Sequence, residues 1–255
     1  MYIKLKLKVK TMSTNTAQDD IFQVLDKLIE SGKYDQVAKE LESIAPFPAH
    51  MNCNDSKINT PITEEMRAVM VNQVKDKMSE IIDILKICQK DENLTSTPAR
   101  IATMWVQEWM TGRYDEKPRI QTFPNKYRHP QVLVKKCKLQ SLCSHHFAPF
   151  FTIPADADSY CIVGYKPDEE LLGISKISRL VDWYARRPQL QEQIATMIHK
   201  DISDTLKIQD VFVYIKNATH TCESTRGAED ESASTTSLVC SGIFDNPETL
   251  ALYLR

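Results

Sequence analysis

Glycine and long apolar runs are both scarce in this chain. Six glycines in 255 residues argue against a collagenous or linker-rich protein. No apolar stretch approaches the length that spans a bilayer, which is about 20 residues. Residues 1–10 alternate lysine with apolar residues and lack the continuous apolar region of a secretory signal. We therefore expect neither a membrane protein nor a secreted one.

An excess of one charge is absent as well. Thirty-two Lys and Arg residues stand against 34 Asp and Glu residues, a formal net charge of -2. This balance gives no reason to expect binding to nucleic acid or to a membrane surface. Seven cysteines, an odd number without regular spacing, argue against a disulfide scaffold and favour a cytoplasmic location.

Residues 1–60 differ in composition from the rest of the chain. Apolar residues recur at helical spacing over 19–43, with a break at Ser31-Gly32. Three prolines and several asparagines make 44–62 resemble a linker. We therefore predict a partly helical N-terminal extension, 1–60, followed by a domain that spans 61–255.

The pattern within 61–255 predicts helices first and then strands that enclose a pair of helices, an α+β arrangement. Thr97 is the expected N-cap of the second helix, with Pro98 in its first position. Helices are predicted over 64–90, 97–111, 176–187 and 189–207, and strands over 131–140, 147–153, 159–165, 210–219 and 234–244. Residues 113–130 are predicted to be a loop.

The densest group of reactive side chains is Cys143-Ser144-His145-His146. The spacing of Cys143 and His146 allows a thiolate and an imidazole to bind one metal ion, and zinc prefers such ligands. A third ligand must come from elsewhere, and Cys222 is the best placed. Two Cys and one His leave one coordination position open, as in catalytic zinc sites. The alternative is a buried free cysteine beside hydrogen-bonded histidines.

Three further groups contain candidate binding residues. Ser175 is the predicted cap of a helix with Lys176 and Arg179 in or near its first turn, where an anion would offset the cations. The alternative is a solvated basic face that continues through Arg186 and Arg187. Segment 188–192 is typical of an ordinary helix start, with Pro188 in its first position and Glu192 in its first turn. Arg226-Gly227 either brings a cation to the metal or forms a turn.

Taken together, these groups resemble the GTP cyclohydrolase I family from about residue 64 to the C-terminus. The family patterns are T-P-x-R, C-E-H-H-x-x-P-F, L-G-x-S-K-x-x-R, R-R-x-Q-x-Q-E and H-x-C-x-x-x-R-G. They correspond in order to Thr97–Arg100, Cys143–Phe150, Leu172–Arg179, Arg186–Glu192 and His220–Gly227. Five motifs in the same order make the resemblance far more specific than any single motif.

The resemblance implies a role for each motif. It implies zinc ligands at Cys143, His146 and Cys222, and acid–base histidines at His145 and His220. It implies guanine recognition by Gln191 and Glu192. Triphosphate ligands are implied at Ser175, Lys176, Arg179 and Arg226, with Arg100 as a further candidate. The implied reaction converts GTP to 7,8-dihydroneopterin triphosphate and releases formate.

The resemblance also implies a tunnelling fold, in which two helices pack on an antiparallel sheet, and a homodecamer of two pentameric rings. This sequence departs from the family pattern at Ser144, where the family usually has Glu, and at Glu223-Ser224-Thr225, where apolar residues are usual. Segment 229–231 is unusually acidic. Two rivals follow: a relative that binds a purine or pterin without opening its ring, and a non-catalytic zinc protein that acts as an assembly scaffold.

Overall fold

A computed structural model of the chain describes residues 27, 30–37, 39, 61–153 and 158–254. The predicted helical stretch 19–43 lies largely outside the described residues, and so does the predicted linker up to residue 60. Within the described part, residues 34–37 are helical. The predicted break at Ser31-Gly32 is a turn, in which Gly32 has a φ of 71°.

The described residues form two compact units that divide after Glu108. In the first unit, helix α1 (Glu64–Ile84) begins after Thr63, whose Oγ1 accepts a hydrogen bond from the Met66 N–H at 3.2 Å. The sequence predicts a helix through residue 90, but α1 ends at Ile84 because Lys86 has a φ of 59°, outside the helical region.

Helix α2 (Thr97–Thr103) has Ser96 as its N-cap and Pro98 in the second position, so the predicted cap at Thr97 is wrong by one residue. The predicted helix through residue 111 also changes its hydrogen-bond pattern midway. Beyond Thr103 the chain continues as a π-helix, Met104–Trp109. None of the helices in the described residues is long and apolar enough to cross a membrane.

The second unit contains most of the regular structure. Its helices are α3 (Thr111–Tyr114), α4 (Ile174–Ala185), α5 (Gln191–Leu206), α6 (Thr221–Ser224) and α7 (Pro247–Ala251). Its strands are β1 (Thr122–Pro124), β2 (Leu133–Cys137), β3 (Gln140–Cys143), β4 (Pro149–Phe151), β5 (Tyr160–Tyr165), β6 (Glu170–Leu172), β7 (Pro188–Gln189), β8 (Val211–His220) and β9 (Thr235–Cys240). The predicted α+β class is confirmed.

The sheet is built around β8. Strands β2, β5, β8 and β9 are antiparallel neighbours, and the end of β8 also pairs with β4. Strand β4 pairs with β3, which in turn pairs in parallel with β7, while β1 and β6 form a separate antiparallel pair. The sequence missed three short strands, β1, β6 and β7, and all but the first residue of β3. Strand β1 lies inside the predicted loop 113–130, and β7 occupies the predicted start of a helix.

Alternate residues of the central strands pack on opposite faces of the sheet. Cys161 and Val163 of β5 belong to the core that includes the apolar stripes of α4 and α5. Ile162 and Phe212 face the other way and join Phe244 of the C-terminal segment. Burial on both faces explains why β5 is apolar at every position rather than alternating.

Gly112 allows α3 to approach the end of α4 closely. A Cβ at this position would lie 1.9 Å from Trp183 O and 2.9 Å from Arg186 O. Both are backbone atoms, which cannot rotate away as a side chain could. The contact therefore requires glycine.

We predict that Gly112→Ala destabilises the protein by about 1–3 kcal/mol, the usual cost of overpacking. The measurement is the midpoint of urea unfolding. Gly173→Ala is the matched control, because its Cβ would meet the flexible Lys176 side chain at 3.3 Å. Equal midpoints for the two variants would contradict the prediction.

Candidate active site

The sheet topology brings the two predicted metal-binding motifs together. Cys143 is the last residue of β3, and Cys222 lies in α6, directly after β8. Strand β4 pairs with both β3 and β8, and its Phe150 is the partner of His220. The ligand atoms of Cys143, His146 and Cys222 consequently lie within 4.8 Å of one another.

The turn between β3 and β4 presents both histidines to one thiol. The Phe147 N–H donates to Cys143 O at 2.9 Å, and Phe147 has a φ of 49°. The Nδ1 atoms of His145 and His146 lie 3.7 and 3.8 Å from Cys143 Sγ. The predicted proximity of Cys143, His145 and His146 thus follows from a tight hairpin turn.

The three ligands suit a metal ion that binds sulfur and nitrogen. Burial raises the pKa of the Cys222 thiol, and a hydrogen bond with Cys143 raises it further. Two thiolates this close repel each other, and a divalent cation between them would remove that repulsion. The donor set of two Cys and one His fits zinc with one position left open.

Arg226 approaches this cluster from the segment after α6. Its Nη1 lies 2.9 Å from His146 Nε2. A guanidinium can only donate, so Nε2 accepts and a neutral His146 carries its proton on Nδ1. A metal ligand nitrogen must be deprotonated. The Arg226 contact and metal binding through Nδ1 therefore exclude each other.

His220 lies at the end of β8 between an aromatic ring and an amide. Its ring is stacked on Phe150, with centroids 4.5 Å apart and planes 3° from parallel. Its Nε2 lies 2.8 Å from Oε1 of Gln191. Burial lowers the pKa of His220, and the charges of Glu223 and Glu192 oppose this shift.

A bulge in β8 determines which way His220 faces. Ile215 is opposite Ser237 of β9, but Ala218 is opposite Thr235, so β8 has one extra residue there. Val213, Ile215 and Ala218 all belong to the core beneath the helices. The core-facing residues therefore change from odd to even numbers across the bulge. His220, two residues after Ala218, shares their face.

Asn217 supplies the backbone conformation of the bulge. Its φ is 50°, in the left-handed region that asparagine tolerates better than most residues. Its Nδ2 donates to the backbone oxygen of Asp158 at 3.1 Å, and its backbone N–H donates to Thr236 Oγ1 at 3.2 Å. In the sequence, this bulge is marked only by a polar interruption in an apolar strand.

Strand β7 connects α4 and α5 to the predicted metal ligand Cys143. Gln189 is opposite Cys143, and its carbonyl accepts from the Ser144 N–H at 3.2 Å. Helix α5 begins two residues later, at Gln191, so Pro188 is not the first helical residue as the sequence predicts. The predicted position of Glu192 in the first turn of α5 is correct.

The side chain of Arg187, the residue before β7, is buried and hydrogen-bonded to the backbone. It is only 4% exposed, stacks 4.2 Å from the Trp183 ring and donates through Nη2 to Gly112 O and Trp183 O. Burial lowers the pKa of Arg187 to about 10. Of the two arginines predicted to continue the basic face, Arg187 is therefore buried, whereas Arg186 is half-buried and paired with Asp182 at 3.1 Å.

Three of the five predicted phosphate ligands, Ser175, Lys176 and Arg179, lie at the start of α4, where Ser175 and Arg179 are exposed. The N-cap is Gly173, and Ser175 is the second helical residue, so the predicted cap at Ser175 is wrong. No side chain caps this helix end, and Lys176 lies in its first turn. Arg100 belongs to the first unit, where Nη2 donates to Asn93 O and Thr97 Oγ1, both at 2.9 Å.

Comparison with known proteins identifies the family. The GTP cyclohydrolase I family model matches residues 74–254. A relative named GTP cyclohydrolase 1 from Shewanella denitrificans is 34% identical over 210 residues, which cover 79% of this chain and 92% of the relative. One of the same name from Vibrio vulnificus (strain YJ016) is 36% identical over 186 residues, 72% of this chain and 82% of the relative. The resemblance inferred from the five motifs is confirmed: this chain belongs to the GTP cyclohydrolase I family.

Proposed function

We propose that the protein is a zinc-dependent GTP cyclohydrolase that converts GTP to 7,8-dihydroneopterin triphosphate with release of formate. The observation that carries the proposal is the convergence of Cys143, His146 and Cys222 next to His220, in a chain of this family. The names of the relatives cited above supply the reaction. The geometry supplies the residues to which its steps can be assigned.

Cys143, His146 and Cys222 would hold the metal. Zinc in such a site supplies a Lewis acid that makes water nucleophilic near neutral pH. His145 and His220 flank the ligands and are the residues we assign to proton transfer. Proton transfer by positioned imidazoles suits a reaction that both opens and closes rings.

Glu192 is the residue we assign to the guanine base. It is exposed in the first turn of α5, directly after a residue that contacts His220. Its charge also acts on the His220 imidazole. A carboxylate at this place can accept hydrogen bonds from the ring N–H and the amino group of guanine.

The triphosphate is assigned to the uncapped start of α4. Free N–H groups at a helix N-terminus bind anions, and Ser175, Lys176 and Arg179 add a hydroxyl and two cations. Arg226 would join them once its contact with His146 is broken. Arg100 is the remaining candidate for this role.

We further propose that the unit adopts the tunnelling fold and assembles as a homodecamer of two pentamers. The open sides of β2 and β9 support assembly through the sheet: within the described residues, each of these strands pairs on one side only. Val134 of β2 and Leu238 of β9 are exposed apolar residues at these edges.

The free thiols of Cys143 and Cys222 support a reducing, cytoplasmic location.

The first prediction concerns the metal and the reaction together. We expect the purified protein to contain about one zinc per chain and to release formate from GTP. Cys222→Ser should lose both, because it removes a thiolate ligand. Cys240→Ser is the control, since Cys240 lies outside the ligand cluster. Zinc is measured by elemental analysis.

Two results would count against the proposal. Full zinc occupancy and turnover in Cys222→Ser would remove this residue from the site. Zinc and purine binding without formate from the unaltered protein would favour the rival that only binds, and zinc without purine binding would favour the scaffold.

A second prediction concerns the base. Glu192→Gln replaces an acceptor oxygen with a donor that would face a guanine donor, at a cost of about 1–3 kcal/mol. We expect GTP turnover to collapse while zinc content is unchanged. Glu248→Gln is a matched control, because Glu248 also lies in the first turn of a helix. Unchanged GTP kinetics in Glu192→Gln would return Glu192 to a helix-capping role.

A third prediction concerns the boundary between 1–60 and 61–255, which we propose as functional. A protein that begins at residue 61 keeps the Thr63 cap of α1 and every proposed ligand. We expect it to bind zinc and to release formate from GTP. If that protein is soluble, loaded with zinc and assembled but inactive, the extension completes the active site and the boundary is wrong.

A further inference from the structure

The Gln191 side chain is buried, and both of its polar atoms have hydrogen-bond partners. It is only 2% exposed. Its Nε2 donates to Thr235 O at 3.1 Å and to Ser237 Oγ at 3.0 Å, both on β9. Its Oε1 contacts His220 Nε2 at 2.8 Å. The amide therefore links α5, β9 and the end of β8.

These contacts determine the orientation of the amide. A backbone carbonyl such as Thr235 O can only accept, so the atom facing it must be the NH₂ group of Gln191. The opposite atom, which faces His220, is then the carbonyl oxygen. A flipped amide would leave two acceptors facing each other at Thr235.

The same logic determines the proton position on His220. Since Gln191 Oε1 can only accept, His220 Nε2 must donate and carry a proton. In the neutral imidazole the lone pair is then on Nδ1. Stacking on Phe150 prevents the ring from tilting out of this arrangement.

We propose that Gln191 is a positioning residue that keeps His220 in the Nε2–H tautomer, so that Nδ1 is the atom available to accept a proton. This deepens the proposed function, on which it rests for the role of His220 in proton transfer. Gln191 then acts on the reaction through His220, and guanine recognition is left to Glu192. In many active sites a third group orients the general base by a hydrogen bond to its other nitrogen, and Gln191 would have this role for His220.

Kinetics with two substrates separate this role from base recognition. Gln191→Met keeps the approximate size but removes the acceptor. We expect its kcat to fall by about tenfold to a hundredfold, part of the usual contribution of a positioned base. KM for GTP and the preference for GTP over inosine triphosphate, which lacks the 2-amino group, should stay unchanged. Gln193→Met, two residues along the same helix, is the control.

A double-mutant cycle tests whether the effect passes through His220. Gln191→Met should have no further effect in a His220→Ala background, because a residue that acts only through another shows full coupling. Gln191→Glu retains an acceptor for Nε2–H and should recover part of the lost kcat. An additive effect, or a raised KM with an altered preference between the two nucleotides, would overturn the proposal.

Nitrogen-15 NMR of the zinc-loaded solid protein provides a readout that does not depend on turnover. We expect the His220 signal, identified by its absence in His220→Ala, to show a protonated Nε2 and an unprotonated Nδ1. An Nδ1–H tautomer in the unaltered protein would overturn the proposal even if Gln191→Met does not fold. If the unaltered protein releases no formate but has the expected tautomer, the proposed function fails and the positioning by Gln191 stands.

Discussion

The antiparallel pairing of β4 with the end of β8 is the contact on which the candidate site depends. It connects the motif that ends at Phe150 with the motif that begins at His220, 70 residues later in the chain, because these two residues are direct partners. The hairpin between β3 and β4 contains Cys143 and His146. Helix α6, which follows β8, contains Cys222. A short strand of three residues thereby sets the distance between the ligands.

Near this pairing, the side chains of Thr221 and Arg187 donate hydrogen bonds to backbone carbonyls. The Thr221 hydroxyl, between His220 and Cys222, donates to Pro149 O at 2.7 Å and fixes the turn out of β8. The buried Arg187 supports the β7 connection, where a cation at the end of α4 also interacts favourably with the helix dipole. The proposed ligands Cys143, His146 and Cys222 are consequently held by a strand end, a tight turn and a short helix, each fixed by hydrogen bonds.

The sequence predicts the parts of this arrangement that depend on local pattern or on motif spacing. The amphipathic stripe of α5, the apolar run of β5 and the Cys143–His146 pair all have signals within a few residues. The burial of Arg187 has none, because it depends on Trp183 and on the backbone at Gly112, which pack there only in the folded chain. The same holds for the hydrogen bonds from Gln191 to β9. Strand β7 is missed for a related reason: Pro188 and Gln189 form a strand only because β3 lies next to them.

The bulge at Asn217 has a consequence for how this chain can change in length. The extra residue shifts the inward and outward alternation of side chains by one position between the first half of β8, which packs in the core, and the last residues of β8, which belong to the candidate site. Removal of one residue there would restore plain alternation and keep His220 on the face of Val213 and Ile215. Loss of the bulge with every residue retained would instead turn His220 toward the opposite side of the sheet. A gap of one residue between Ile215 and Ala218 in the alignment of a related chain would therefore indicate a β8 without the bulge but with the same face for the residue that corresponds to His220.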